Sequence, residues 1–344
     1  MDYVSVVFFR HREERFICKK DTLNVSKKTI FKRNQMMQIN SISRQNELYT
    51  NSTESNGRNR TISDTPSSKE HIGVEYIKSE HNSFTNYSNI NSTRVNATSS
   101  TEDTRRKAKQ ALKYLGFYAG PDDDDLSSSA AQKAIIRFQK VYGLNVTGTA
   151  DSNTLIKLDV ASNYKSKAAQ ALQKSSIPSQ FYMDYYEKDN FARTWAFLCV
   201  GMGLSEAQAS GVLGNIKAES NFSSDNAQGY AGAHNPDYKY DINDGKGYGI
   251  MQWTAKDRKY GLLQASNNLL SNVSDINVQL LYMRIESNTT YKSQWDTIKT
   301  LKDVNSVSDY FLKEIESPNK LNYAERRSYS NTIYNVMSKI NYFT

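Results

Sequence analysis

Beyond residue 100 apolar side chains recur at helical spacing, and each stripe is bounded by a capping residue and a glycine. Ala108, Ala111, Leu112 and Leu115 define one helix face, with Asp103 as its predicted N-cap and Gly116 as its end. Ala131, Ala134, Ile135 and Phe138 define a second, closed by Gly143, and Asp151 caps a third short helix carrying Leu155 and Leu158. Residues 161–186, rich in Ser, Lys, Ala and Gln with Ile177-Pro178 near the end, read as a partly helical linker. Past it, Asn190 is placed to cap a helix presenting Phe191, Trp195, Leu198 and Met202, which Gly203 ends. Ser205-Glu206-Ala207-Gln208 has the form of a capping box and opens a helix with Ala209, Val212, Leu213 and Ile216 on one face. Gly211 and Gly214 on that helix permit close approach of a neighbour. The pattern predicts a mainly α protein.

The first hundred residues read differently. From Asn40 to Thr101, Asn, Ser and Thr supply 31 of 62 residues, too little apolar surface to offset the entropy of ordering, so the segment is expected to be disordered. Residues 1–39 are basic and weakly patterned, and read as a solvated tail. The longest apolar run near the start, Val6-Val7-Phe8-Phe9, is too short for a signal-peptide core or a membrane span.

Charge narrows the classes of function. Lys and Arg outnumber Asp and Glu by 44 to 36, but residues 187–344 are balanced at 17 against 17 and show no long basic stripe interleaved with aromatics, which argues against nucleic-acid binding as the main task of this part. Cys18 and Cys199 are too few and too distant for a disulfide framework or a four-cysteine zinc site. Of the four histidines only His234 lies beyond the first hundred residues, which argues against a zinc amidase, a metallopeptidase or a Cys-His peptidase. No metal and no cofactor are expected. Cys199 reads as a small buried residue, and the Asp122-Asp123-Asp124-Asp125 run as a solvated loop whose ligand spacing does not suit calcium.

All three tryptophans and ten of the sixteen glycines lie beyond residue 186. There the stripe ending at Ile216 reaches Glu219 three positions later. An acid at the end of a buried face, near the negative pole of a helix, is expected to hold its proton, as a general acid must. On periodicity alone, a Glu219 that merely ends its helix in water is the simpler reading. Gly245-Lys246-Gly247-Tyr248-Gly249-Ile250-Met251-Gln252-Trp253 is a glycine-rich turn without the spacing of a dinucleotide cradle. Its small residues would let an extended sugar chain lie against the backbone beside Gln252 and Trp253.

Two resemblances follow from these residues. Leu115-Gly116-Phe117-Tyr118-Ala119-Gly120, then Ala134-Ile135-Ile136-Arg137-Phe138-Gln139, then Gly143-Leu144, Gly148, Asp151 and Thr154-Leu155 resemble the three-helix peptidoglycan-binding domain, with four aspartates and three serines replacing one of its loops. Glu219-Ser220-Asn221-Phe222 followed by Gly247-Tyr248-Gly249-Ile250-Met251-Gln252-Trp253 resembles the lysozyme-like superfamily, and within it the phage tail-type lysozymes. Gln279-Leu280-Leu281-Tyr282, Phe311 to Pro318, Arg326-Arg327 and Ile333-Tyr334 extend the likeness.

By these resemblances the chain has a tail over 1–101, a peptidoglycan-binding domain over 102–160, a linker over 161–186 and a lysozyme-like α+β domain with a small β element over 187–344. The implied activity is cleavage of the peptidoglycan glycan strand, with Glu219 as the acid and Gln252 and the Gly249 backbone holding substrate. Ser220, Tyr248 and Trp253 would shape the same subsite, and Asp241 or Asp244 would serve as a second carboxylate that orients water. Without that second carboxylate the sugar's own hydroxyl would close on the anomeric carbon, as in a lytic transglycosylase. A wall-binding structural protein is the reading from outside the enzyme class. The expected partner is peptidoglycan, with no nucleic acid and no membrane; phage or prophage tail components fit the resemblance. The expected location is the cell wall or the exterior, reached without a secretory signal.

Overall fold

The computed structural model describes residues 101–340 apart from 122–125, 175–177, 230–234, 236 and 319. The tail, the four-aspartate loop and His234 lie outside the described residues.

The first module consists of α1 (Thr101–Tyr114), α2 (Ser129–Tyr142) and α3 (Ser152–Lys174). Every residue of the two predicted stripes on α1 and α2 is buried, and Phe117 meets Phe138 edge to face at 5.5 Å between ring centroids. Gly143 closes α2 in the left-handed conformation, its N–H donating to the Gln139 carbonyl. Asp103 falls inside the first turn of α1 and does not cap it, while Asp151 accepts from the Thr154 N–H at 2.8 Å as a cap does. The third helix is longer than predicted. Leu158, Ala161, Lys165, Ala168 and Leu172 are all buried at alternating three- and four-residue spacing, so one face is covered through nearly the first half of the stretch read as a linker.

The second module comprises α4 (Tyr185–Ala196), continued by a π-helical turn at Phe197–Gly201, then α5 (Glu206–Ser220), α6 (Lys256–Leu269), α7 (Ile276–Asn288), α8 (Lys292–Thr300), α9 (Val304–Phe311), continued by a π-helical turn at Leu312–Glu316, and α10 (Tyr323–Met337). Helix α4 begins earlier than predicted, because Asp184 and Glu187 form a reciprocal capping box. Asn190 is therefore interior and buried, and donates to the Phe222 carbonyl at 2.8 Å. The predicted Ser205–Gln208 box is present on α5. Among the described residues the small β element reduces to one antiparallel bridge, Ala227 with Tyr248.

The two modules share an interface. Asn277 on α7 donates to the carbonyls of Leu115 and Gly116 at 3.2 and 3.1 Å, and Arg284 on the same helix donates to those of Val141 and Gly201, each at 2.6 Å. Lys165 of α3, almost wholly buried, pairs with Asp189 of α4 at 2.7 Å. No helix among the described residues is long and apolar enough to cross a membrane.

Candidate active site

Helix α5 runs through the middle of the second module, with ten consecutive residues from Gln208 to Lys217 buried. The core stripe ends as the spacing predicts. Ala209, Val212, Leu213 and Ile216 are fully covered, and Glu219 follows with its side chain 20% exposed. The helix stops at Asn221, and both Asn221 and Phe222 have positive φ, 52° and 65°. That conformation is costly for a bulky residue such as Phe222. The Phe222 ring is fully buried against Phe191, centroids 5.0 Å apart, and this packing holds the chain in its reversal.

Arg326 of α10 fixes the Glu219 carboxylate. Its Nη2 donates to Glu219 at 2.5 Å, while Nη1 donates to the Asn215 carbonyl at 2.8 Å, one turn earlier on α5. The same Nη2 stands 3.7 Å from Glu316, whose side chain is only 4% exposed. Burial, reinforced by the negative charge of Glu219, pushes the Glu316 carboxyl well above the usual carboxylate range, against the opposing pull of Arg326. Sequence reasoning missed Glu316 as a functional candidate. A signal was present, because Glu316 lies four residues after Leu312 on an apolar stripe, much as Glu219 follows Ile216.

The glycine-rich segment packs beside the end of α5. Ser220 Oγ donates to the Ile250 carbonyl at 3.0 Å and so ties the residue after Glu219 to this segment. Gly249 has φ +74°, and a Cβ there would lie 2.7 Å from the Gln279 amide nitrogen. Gln279 in turn accepts from the Ile250 N–H at 2.9 Å and donates to the Val273 carbonyl at 2.8 Å. In this structure, Gly249 thus admits a buried glutamine of the protein itself. Gln252, partly exposed with φ +47°, donates to the carbonyls of Gly249 and Asn226 at 2.9 and 3.3 Å.

Tyr248 and Trp253 are buried behind this segment. Tyr248 stacks on Tyr238 at 5.3 Å and meets Tyr240 edge-on at 4.9 Å. The Trp253 indole N–H donates to Glu286 at 2.9 Å, and Glu286 is also gripped by Arg258 through two hydrogen bonds of 2.7 and 2.9 Å. Asp244 pairs with the fully buried Lys259 at 2.5 Å and accepts from the Tyr238 hydroxyl at 2.5 Å. Asp241 accepts from the Asn243 N–H in an exposed turn. Structure thus brings Glu219, Ser220, Gly249 and Gln252 into adjoining segments and draws in Arg326 and Glu316, while Asp244 is engaged elsewhere. Cys199 is buried, and burial pushes its thiol well up, which leaves it poorly nucleophilic. No group of His, Cys, Asp and Glu suited to a metal ion occurs among the described residues.

Fold and site define a mainly helical, lysozyme-like domain preceded by a small helical binding module. Residues 189–337 match the family model of phage tail lysozyme, and residues 101–158 match that of a peptidoglycan binding domain. The peptidoglycan-binding match precedes the lysozyme match along the chain, and together they support peptidoglycan as a partner and a lysozyme-like function directed at the cell wall. No curated protein and no solved structure matches it.

Proposed function

We propose that the protein hydrolyses the glycan strand of peptidoglycan, with Glu219 as the general acid. The observation that carries this reading is the placement of Glu219. It is the one part-exposed carboxyl at the end of the buried α5 stripe, oriented by Arg326 and joined through Ser220 to the glycine-rich segment. Proton transfer from Glu219 to the glycosidic oxygen lets the C–O bond break with its electron pair on the departing sugar. The oxocarbenium-like centre is then captured by water. Arg326 meets the carboxylate that the transfer leaves behind. Gln252 and the Gly249 backbone contact the sugar, and Ser220, Tyr248 and Trp253 support that wall from behind. The first module holds the enzyme on the wall and raises its local concentration there. Such an enzyme works at the cell wall or outside the cell, and association with phage tail components accords with its domain type.

A second reading, a lytic transglycosylase, is favoured by the commitment of Asp244 to Lys259 and of Asp241 to its own turn. With neither carboxylate free to activate water, the sugar's own hydroxyl would take the anomeric carbon.

The test is incubation of the full chain and of Glu219→Gln with purified peptidoglycan, with released sugar ends identified by mass spectrometry. Reducing ends are expected from the unsubstituted protein, with a loss of about 100-fold or more in the variant. Anhydro ends would establish the transglycosylase. No soluble product from either protein, despite sedimentation with the wall, would leave only a binding protein.

A further inference from the structure

The buried acid beside Glu219 has no part in the function as proposed so far. Neither oxygen of Glu316 meets a hydrogen-bond donor, and the side chain set against it within hydrogen-bonding reach is the Glu219 carboxyl; Arg326 Nε is likewise buried and unpartnered. An ionised carboxylate in that position would be poorly compensated, because the nearest cation stands 3.7 Å away and is already bonded to Glu219. The groups facing Glu316 are Glu219 from α5, Arg326 from α10 and Arg258 from α6, the last held by Glu286. Two carboxyls within 4 Å of one guanidinium nitrogen cannot both ionise cheaply when one of them is out of water. Glu316 also sits at the end of a π-helical turn, with Ser317 following at φ +46°.

We propose that Glu316 is a proton-holding partner of Glu219: the pair carries one proton between its two carboxyls at neutral pH, and Glu316 passes it to Glu219 for delivery to the glycosidic oxygen. The inference rests on the reading of Glu219 as the acid. In the step, the Glu316 O–H bond breaks as a Glu219 O–H bond forms, and Glu219 in turn yields its proton to the departing oxygen. The water that captures the sugar releases a proton, which returns the pair to its starting state. Glu316 touches no substrate and is a positioning residue. Arg326 keeps the pair in register through its bonds to Glu219 and to the α5 backbone.

The experiment uses the full chain with glutamate side-chain carboxyl carbons labelled with carbon-13, titrated by NMR, beside the pH profile of peptidoglycan turnover. One glutamate carboxyl is expected to remain protonated at pH 7. Glu316→Gln should remove that signal, and Glu219→Gln should move its midpoint to lower pH by withdrawing the neighbouring charge. In turnover, Glu316→Gln should shift the alkaline limb toward acid by about one pH unit, a roughly tenfold loss at neutral pH that is recovered in acid. A merely structural Glu316 would lower activity at every pH or not at all. Absence of a protonated carboxyl at pH 7 in the unsubstituted protein overturns the proposal whatever the activity. If the signal is present but Glu219→Gln still cleaves, the assignment of the acid fails while the shared proton stands. An unmoved pH profile in Glu316→Gln, with Glu219→Gln inactive, overturns the transfer and keeps the acid. Should Glu316→Gln not fold, the midpoint shift between the unsubstituted protein and Glu219→Gln decides the matter.

Discussion

Asp244 and Glu316 show how one residue type takes opposite roles according to what faces it. Burial alone would raise the Asp244 carboxyl, but hydrogen bonds from Lys259 and Tyr238 and from the Lys246 N–H outweigh it and hold the group at about 2, below its ordinary 3.8. Lys259 is wholly buried and depends on this partner, with the Tyr238 hydroxyl at 3.0 Å and the Tyr240 ring centre at 5.0 Å as further contacts. Because the folded value is depressed, the stability Asp244 contributes is fully present above about pH 4 and is lost as pH falls through about 2. Asp244→Asn would leave the Lys259 charge buried and uncompensated, at a cost of about 3 kcal/mol near neutral pH. Denaturant unfolding of the two proteins checks this. The difference should narrow as pH drops from 4 toward 2, and a gap that stays constant across that range would place the role of Asp244 outside the ion pair.

Glu219 and Arg326 meet because α5 and α10 lie against each other closely. A Cβ on Gly214 would come within 2.5 Å of the Ser330 backbone nitrogen, so only glycine allows the present separation. Gly214→Ala should force the helices apart, costing about 1–3 kcal/mol, and should reduce peptidoglycan cleavage more than the stability loss explains, since Arg326 leaves with α10. Thermal melts combined with turnover at a temperature where both proteins remain folded test this; full activity in a folded Gly214→Ala would show that the spacing does not tune the acid. The need for small residues here was legible in the sequence, as were the stripes of α1, α2 and α5 and the acid ending the last of them, because each is a local pattern. The continuation of α3 was harder to read, because its buried face past Leu158 uses Ala161, Lys165 and Ala168, which are not distinctly apolar. The partners of Glu219 were not legible as partners. Glu316 and Arg326 are far from it in sequence and meet it only through helix packing. The fates of Tyr248 and Trp253 were equally hidden, since an aromatic beside glycines reads the same whether it faces a sugar or Glu286.

At the scale of the molecule, α3 runs on to Lys174 through the first half of the stretch read as a partly helical linker, and buried polar contacts join the two modules. Arg284 makes several of the contacts at that junction. It bonds carbonyls on both sides, at Val141 and Gly201, and its guanidinium lies 5.5 Å from the centre of the Phe197 ring. Tyr142 from the first module meets the same ring edge to face at 6.2 Å, so apolar and polar contacts coincide there. A small three-helix module with its surface spent in this way should gain much of its stability from its neighbour, and the two should unfold together. Calorimetry of the full chain is expected to show one transition for both modules. Arg284→Ala should lower it by about 3 kcal/mol, because two carbonyls each lose a charged donor, and should let the first module melt ahead of the second. Two separate transitions in the unsubstituted protein would mean that the modules are tethered and not docked. If a single transition is found, glycan held by the first module has a fixed orientation relative to Glu219, so binding aligns the strand with the acid as well as concentrating enzyme on the wall.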